Sequence, residues 1–317
     1  MSPRFQSRWS AQLEDFVRFK QALGQSYARP IKTLQSFDRF AAAPQWKKQS
    51  DLVPVLNGWL NQFSNCKPVT VGSYLAVFRQ FCQFRKRYDP DAVVPDRSWA
   101  PTTTAAPFLP HIFSLQEIRR IITDTARVHG TRRTRRCFRL LVIVLYCTGL
   151  RIGEALALRR GDLDLRQACF RIGPSKGRSR WVPFRRDLAR ELHTWIKEED
   201  GTGTLDSFVF AQDDGRQRRV KSAAQTLRFL LRRCGLKPAK GRRGPRCHDL
   251  RHTFAVHRLQ RWYHEGRDLH RMLPWLSAYL GHRNLIGTEH YLQATPELLA
   301  IASRRLQRQF RREDSPT

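Results

Sequence analysis

Apolar side chains in the first part of the chain, residues 9–88, recur every three or four positions. This spacing places them on one face of a helix, so the pattern predicts about four helices that pack into a small bundle. The apolar positions that define these helices are Leu13, Phe16, Val17, Phe19, Leu23, Leu34, Phe37 and Phe40, followed by those of 52–63 and 74–84.

The periodic pattern stops between residues 89 and 110, where proline, alanine and threonine dominate. Such a stretch is typical of a linker between domains. We therefore predict an N-terminal helical domain (1–95), a linker (96–112), a second domain (113–296) and a C-terminal tail (297–317). The tail is predicted to be one more helix, because apolar residues from Leu298 to Phe310 recur every four positions.

The second domain opens with a helix start signal, because Ser114 and Glu117 form a capping box ahead of an apolar run. The segments ACFRIG and RWVPF, joined by the turn PSKGRS, predict a hairpin of short strands. The basic stretch HGTRRTRRC is predicted to be a loop, and a turn is predicted at Gly149. Predicted helices cover 114–128, 137–147, 151–159, 187–198, 220–234, 248–263, 272–281 and 288–293. The fold class is therefore mainly α with a small β-sheet (α+β).

Charge indicates the kind of partner. The 317 residues include 58 Lys and Arg against 27 Asp and Glu, a formal net charge of +31. An excess this large favours a polyanion as the partner.

Seven cysteines form an odd set without a C-x-x-C pair and are expected to be buried, reduced thiols. No apolar run is long enough to span a membrane and the N-terminus lacks a signal-peptide core, so we expect a soluble, cytoplasmic protein.

The first candidate functional residues lie in the segment YCTGLRIGEALAL. Arg151 follows a glycine turn at the start of a short apolar helix, and Glu154 lies three residues further, on the same face. A partly buried guanidinium needs an anion, which indicates either a bound phosphate or a simple Arg151–Glu154 pair that caps the helix. This segment alone leaves both interpretations open.

A second polar pair lies in RCHDLRHTFAVHRL, where His248 and Arg251 share one face of an apolar helix. A histidine and an arginine on such a face are typical of a phosphate site. The alternative is a zinc site, because His248 and His252 are four residues apart as in H-E-x-x-H. Position 249 is Asp, however, and no third ligand is evident, so the phosphate site is favoured.

Two further segments carry groups that are unremarkable in isolation. In LSAYLGHRNLIGTEHYLQA, Gly281 ends a helix, His282 follows it, and Thr288 can cap a short helix that presents Tyr291. Lys176 lies at the tip of the predicted hairpin, where a solvated turn lysine is the ordinary interpretation.

Taken in order, these segments resemble the tyrosine recombinase, or phage integrase, family. The resemblance rests on TGLRIGEALAL, SKG, HDLRHTFA and LGHRNLIGTEHY and covers roughly residues 113–300, whereas the N-terminal part matches only in size and helical character. It implies a helical, SAM-like core-binding domain (1–95) and a catalytic domain (113–296) that form a C-shaped clamp on DNA. It also implies cleavage and rejoining of DNA through a 3′-phosphotyrosyl intermediate.

The resemblance implies roles in proton transfer and attack. Tyr291 would be the nucleophile, and His248 would accept its proton. Lys176 would protonate the departing 5′ oxygen.

It also implies which groups would hold the phosphate. Arg151 and Arg251 would neutralise the nonbridging oxygens, and His282 would hydrogen-bond to the phosphate. Glu154 would orient Arg151 without touching DNA.

Partners follow from the same resemblance. They are double-stranded DNA with a specific recombination site and other subunits, of this chain or related ones, that form a tetramer on it. The expected location is the cytoplasm, with the nucleoid. No cofactor, metal or membrane is expected. Integration or transposition of a mobile element is the favoured role, and a housekeeping chromosome-resolving recombinase is the alternative. A type IB topoisomerase and a DNA binder without catalysis are further alternatives. The arginines predicted to contact the DNA backbone are Arg132, Arg133, Arg135, Arg136, Arg242, Arg243 and Arg246.

Overall fold

The chain divides into two compact units, Met1–Pro107 and Phe108–Thr317. The structure, a computed structural model, describes residues 5–99, 109–175, 178–198, 203–241 and 243–282. The predicted helices 288–293 and 297–317 lie outside these residues. Within them the molecule is mainly helical with one small sheet, which confirms the predicted fold class.

The first unit is a bundle of four helices. They are α1 (Ser10–Ala22), α2 (Ala28–Ala41), α3 (Leu52–Asn61) and α4 (Pro68–Arg85).

Aromatic rings fill the centre of this bundle. The ring of Phe37 lies 4.7 Å from that of Phe78 and 5.9 Å from that of Trp59, measured between centroids. All three side chains are almost completely buried, as the apolar spacing predicts. Leu23 is an exception, because it lies just after the end of α1 and is exposed.

The second unit contains seven helices among the described residues. They are α5 (Leu115–Asp124), α6 (Arg132–Thr148), α7 (Ile152–Ala157), α8 (Arg186–Glu198), α9 (Val220–Arg233), α10 (Asp249–His264) and α11 (Leu269–Leu280). The predicted capping box is confirmed at the start of α5, where the Ser114 hydroxyl accepts a hydrogen bond from Glu117 N at 3.1 Å.

The start of α6 corrects the prediction that residues 129–137 form a loop. Thr131 caps the helix, since its hydroxyl accepts a hydrogen bond from Thr134 N at 3.1 Å. The arginines that follow are good helix formers, so the first turns of α6 are basic and lie before its apolar stretch. The apolar period alone therefore placed the start of this helix too late.

A three-stranded antiparallel sheet lies between α7 and α8. Its strands, β1 (Leu163–Asp164), β2 (Cys169–Ser175) and β3 (Arg178–Pro183), pair in the order β1-β2-β3. The sequence predicted β2 and β3 but not β1, which is only two residues long. Ile172 pairs with Arg180 across β2 and β3.

Two further expectations concern the burial of the cysteines and the absence of a membrane-spanning helix. Cys82, Cys137 and Cys234 are buried, but Cys66 and Cys147 are exposed, which corrects the expectation of buried thiols throughout. Among the described residues, no helix combines the length and the apolar character needed to cross a membrane.

Lys237 organises the loop that leads into α10. Its ammonium group is buried and donates hydrogen bonds to the carbonyls of Arg243, Gly244 and Pro245, at 2.5, 3.2 and 3.1 Å. Burial lowers the pKa of Lys237, and the nearby Arg228 and Arg232 lower it further. A single lysine thus takes the place of backbone hydrogen bonds in this loop.

Substitution Lys237→Met is expected to destabilise the protein. The three carbonyls would lose their donor, and that of Pro245 is buried, so we expect a cost of about 1–3 kcal/mol. Urea unfolding measures this difference. The matched control is Lys240→Met, an exposed lysine of the same loop, which should change stability by less than about 0.5 kcal/mol. Equal effects of the two substitutions would contradict this account of Lys237.

Candidate active site

Glu154 lies at the centre of a cluster of arginines. Its side chain is 5 % exposed. One carboxylate oxygen accepts a hydrogen bond from Arg151 Nη1 at 2.9 Å, and the other accepts from the Arg151 backbone N–H, also at 2.9 Å. Arg180 donates to both oxygens, at 3.1 and 2.9 Å, and Arg251 Nη1 lies 3.9 Å away. One buried carboxylate therefore faces three guanidinium groups.

These contacts decide the ionisation of Glu154. Burial alone would raise its pKa, but hydrogen bonds from Arg180 and Arg151 and the charges of both outweigh that effect. The net result lowers the pKa of Glu154 to about 2. The carboxylate is thus fixed in its charged form and holds the arginines in place.

The low pKa of Glu154 predicts a pH-dependent stability. Its folded-state pKa, about 2, lies below the ordinary value of 4.5. The ionised group therefore stabilises the fold by roughly 3 kcal/mol above about pH 4.5, and this contribution is lost as the pH falls towards 2. We expect Glu154→Gln to lose a similar amount near neutral pH, measured by urea unfolding, because the buried arginines lose their counter-ion.

The matched control is Glu191→Gln. Glu191 is half exposed and pairs with Arg139 at 3.2 Å on the surface. Its loss should cost less than about 1 kcal/mol. If the wild type and Glu154→Gln lose stability in parallel between about pH 5 and pH 3, the assignment to Glu154 is wrong.

Arg251 binds the ends of two helices. Its side chain is 2 % exposed, and it donates from Nη1 to Gly149 O at 2.9 Å and from Nη2 to Leu280 O at 2.5 Å. These carbonyls belong to the C-terminal ends of α6 and α11, where the helix dipole favours a cation. Arg251 thus joins α10 to two other helices.

Gly149 allows this close approach. Its φ of +62° is one that side chains with a Cβ rarely adopt. A Cβ added here would lie 2.5 Å from Phe254 Cδ1. The glycine in the turn predicted before Arg151 is therefore required both by the backbone conformation and by the close approach of Phe254.

Two histidines lie beside these arginines. Partial burial lowers the pKa of His248, and Arg251, Arg246 and Arg151 lower it further, against a smaller opposite effect of Asp249. Burial, followed by the charges of Arg251 and Arg151, lowers the pKa of His282 to about 4. Both imidazoles are therefore neutral near pH 7.

The zinc alternative concerns His248 and His252. Their rings pack edge to face, with centroids 4.9 Å apart. In the ranges that the structure describes, no three His, Cys, Asp or Glu side chains are grouped closely enough to hold a metal ion. The neighbours of His248 that influence its charge are mainly arginines, a setting that favours an anion.

Four of the six residues predicted for catalysis thus lie together. Arg151 precedes α7, His248 and Arg251 lie at the start of α10, and His282 follows α11. Arg151 Nη2 lies 3.5 Å from Gly281 O, next to His282. The other two, Lys176 and Tyr291, lie outside the described residues.

The arginines predicted to contact the DNA backbone fall into two groups. At the start of α6, Arg133 donates to Gln212 O at 2.8 Å, Arg135 donates to Val128 O at 3.2 Å, and Arg136 pairs with Glu198. These contacts tie α6 to neighbouring parts of its own unit, and a role in DNA binding stays a prediction for them and for Arg132.

The second group lies close to His248. Arg246 donates from its backbone N–H and from Nη2 to Asp249, at 2.8 and 3.2 Å, and Arg243 is exposed in the loop held by Lys237. Arg242 lies outside the described residues. DNA binding by Arg243 and Arg246 also stays a prediction.

The sequence interpretation missed Arg180. Side chains alternate between the two faces of a strand, so Arg180 shares the inner face of β3 with the buried Val182, while Trp181 points outward and is exposed. An arginine two positions from a core valine is the signal that could have identified it. A buried arginine requires a carboxylate partner, and Glu154 is that partner.

Comparisons with known proteins identify the family of the chain. Residues 113–297, more than half of the chain, match the phage integrase family. The integrase/recombinase y4rB of Sinorhizobium fredii is 29% identical over 309 residues, which cover 94% of this chain and 96% of that protein. The tyrosine recombinase XerA of Thermococcus kodakarensis is 31% identical over 195 residues, 61% of this chain and 62% of that one.

Solved structures share the fold. The XerH site-specific recombinase bound to a palindromic difH substrate has a TM-score of 0.64 at 20% identity, over 92% of this chain and 83% of that one. The Tn1549 transposon integrase in complex with circular intermediate DNA has a TM-score of 0.65 at 15% identity, over 93% and 99%. Together with the family match, the fold and the grouped arginines and histidines lead to one conclusion: the chain belongs to the phage integrase family, the tyrosine recombinases.

Proposed function

We propose that this protein is a site-specific tyrosine recombinase that cleaves and rejoins double-stranded DNA in the integration, excision or transposition of a mobile element. The observation that carries the proposal is the group formed by Arg151, Arg251, His248 and His282, which combines two cations with two neutral imidazoles. The family and the name of y4rB, an integrase/recombinase that matches over nearly its whole length, support it.

The proposed reaction is an in-line exchange at one phosphodiester. The Tyr291 oxygen attacks phosphorus while the bond to the 5′ oxygen breaks, which leaves a 3′-phosphotyrosyl bond and a free 5′ hydroxyl. Negative charge builds on the nonbridging oxygens during this step. Arg151 and Arg251 are proposed to stabilise that charge, because Glu154 and the helix-end carbonyls hold their guanidinium groups in place before DNA binds.

Proton transfer is assigned to two groups, His248 and Lys176, and a hydrogen bond to the phosphate is assigned to His282. His248 is neutral near pH 7 because its pKa is lowered, so it is free to accept the phenolic proton of Tyr291. His282, with a pKa of about 4, is also neutral and is proposed to donate a hydrogen bond to the phosphate. Lys176 is proposed to give a proton to the departing 5′ oxygen, which is strongly basic without it.

Rejoining follows from the same intermediate. The phosphotyrosyl bond retains the free energy of the broken phosphodiester, so attack by a 5′ hydroxyl reseals the strand, and the proposed reaction needs neither ATP nor a metal ion. Exchange between two duplexes requires one active site for each exchanged strand. We therefore propose a tetramer of this chain, or of this chain and related subunits, assembled on DNA in the cytoplasm.

The test is capture of the covalent intermediate. A duplex with a nick next to the cleavage position loses its short 5′-hydroxyl fragment after attack, so rejoining stops and the adduct accumulates. The protein is incubated with such nicked DNA from candidate element ends, and a denaturing gel should show a slower band that protease treatment removes. Salt-sensitive DNA binding without any such band would instead indicate a DNA binder that lacks catalysis.

A further inference from the structure

Arg180 connects three segments that carry proposed catalytic residues. It lies on β3, in the strand that follows Lys176, and its side chain is 11 % exposed. Two of its nitrogens donate to the two carboxylate oxygens of Glu154, and Nε donates to Tyr279 O at 2.9 Å. One guanidinium group therefore fixes α7 and the end of α11 to the sheet.

The end of α11 is held by a set of three arginines. The carbonyls of residues 279, 280 and 281 accept hydrogen bonds from Arg180, Arg251 and Arg151, in that order, at 2.9, 2.5 and 3.5 Å. Each of these arginines also lies within 4 Å of Glu154. The helix end that leads into His282 is thus fixed by the same arginines that Glu154 orients.

Gly281 brings Arg180 especially close to this helix end. The glycine has a φ of +68°, and a Cβ there would lie 2.8 Å from Arg180 Nη1. The guanidinium group of Arg180 occupies the space that the Cβ of any other residue at position 281 would take. The place of Arg180 is therefore linked to that of His282 through the adjacent Gly281.

We propose that Arg180 is a positioning residue for DNA cleavage, which sets the places of Arg151 and His282 by holding Glu154 and the end of α11. This inference rests on the proposed function. In this proposal Arg180 acts through Glu154 and Tyr279, to which its three nitrogens donate hydrogen bonds, and not by contact with the scissile phosphate.

The geometry requires arginine at this position. Three N–H groups in one plane reach two carboxylate oxygens and a carbonyl at the same time. A lysine has the same charge but a single nitrogen at the end of a flexible chain, so it cannot hold Glu154 and Tyr279 together. Charge is conserved in Arg180→Lys while the positioning is lost.

The experiment compares Arg180→Lys and Arg180→Gln with the wild type, using the nicked DNA described above. At saturating DNA, the rate of adduct formation should fall about 10- to 100-fold for both variants. The dissociation constant for DNA should change by less than about threefold, because many other cations hold the backbone. The control is Arg216→Lys, an exposed loop arginine, which should behave as the wild type.

A double-mutant cycle with Glu154→Gln separates positioning from a general structural effect. If Arg180 acts through Glu154, Arg180→Gln should slow the Glu154→Gln protein far less than it slows the wild type. Fully additive effects, or a wild-type rate in Arg180→Lys, would overturn the proposal. So would an equal loss of binding and cleavage with a weaker salt dependence, which would mean that Arg180 contacts DNA. Absence of an adduct with the wild type itself would overturn the proposed function instead.

Discussion

Substitution Tyr291→Phe is expected to abolish the covalent adduct with nicked DNA while leaving DNA binding unchanged. Phenylalanine keeps the ring but lacks the oxygen that attacks phosphorus, so no phosphotyrosyl bond can form. The measurement is a denaturing gel of labelled DNA, together with a binding titration of the same variant. An adduct that persists in Tyr291→Phe would mean that another residue is the nucleophile.

The matched control is Tyr279→Phe, because Tyr279 lies close to the same arginines. Its hydroxyl donates to Pro183 O at 3.0 Å, and burial raises its pKa well above the ordinary value. A hydroxyl that is hydrogen-bonded and hard to ionise is a poor nucleophile. Tyr279→Phe should therefore still form the adduct and lose about 1 kcal/mol of stability.

Much of the fold could be predicted because its helices follow the period of their apolar residues. Phe16, Leu34 and Phe37 lie where that period places them, and all three are fully buried. The start of α6 could not be predicted in this way, since its first turns are basic and only Thr131 marks the cap. The strand β1 was missed because two residues are too few to show a period.

In the candidate site too, some residues could be predicted from local sequence and one, Arg180, could not. Short motifs predicted Arg151, His248, Arg251 and His282 as candidate site residues, because each motif keeps its polar residue beside a helix end that can be recognised from local sequence. Arg180 depends instead on contacts with Glu154 and Tyr279, which are 26 and 99 residues away in the chain. No local pattern specifies such contacts, and only the folded arrangement of β3, α7 and α11 brings them about.

The fold also changes how Arg251 is understood. The sequence predicted only a phosphate-binding cation on one face of an apolar helix, whereas the buried side chain is also hydrogen-bonded to the ends of α6 and α11. Its carbonyl partners use only part of the N–H donors of a guanidinium group. Arg251 therefore has a structural task in addition to the proposed task of stabilising charge, and both depend on the shape of the guanidinium group.

We therefore expect Arg251→Lys to reduce the rate of DNA cleavage by about 100- to 1,000-fold at saturating DNA. A lysine keeps the charge, but its single nitrogen cannot reach Gly149 O and Leu280 O together while also meeting the phosphate. The carbonyl left without a donor should also cost about 1–3 kcal/mol of stability. The rate is measured as adduct formation with nicked DNA, and the stability by urea unfolding.

A matched control on the same helix shows whether replacing any arginine of α10 by lysine has these effects. Arg258 lies two turns further along α10, where its guanidinium group packs over the rings of Phe254 and Trp262. Arg258→Lys should cleave DNA within about twofold of the wild-type rate, since its guanidinium group packs on aromatic rings and lysine keeps the charge there. DNA affinity should be similar in both variants, because many cations hold the backbone. If Arg251→Lys cleaves DNA as fast as Arg258→Lys, then charge alone is sufficient at position 251, and the two helix-end contacts do not contribute to the reaction.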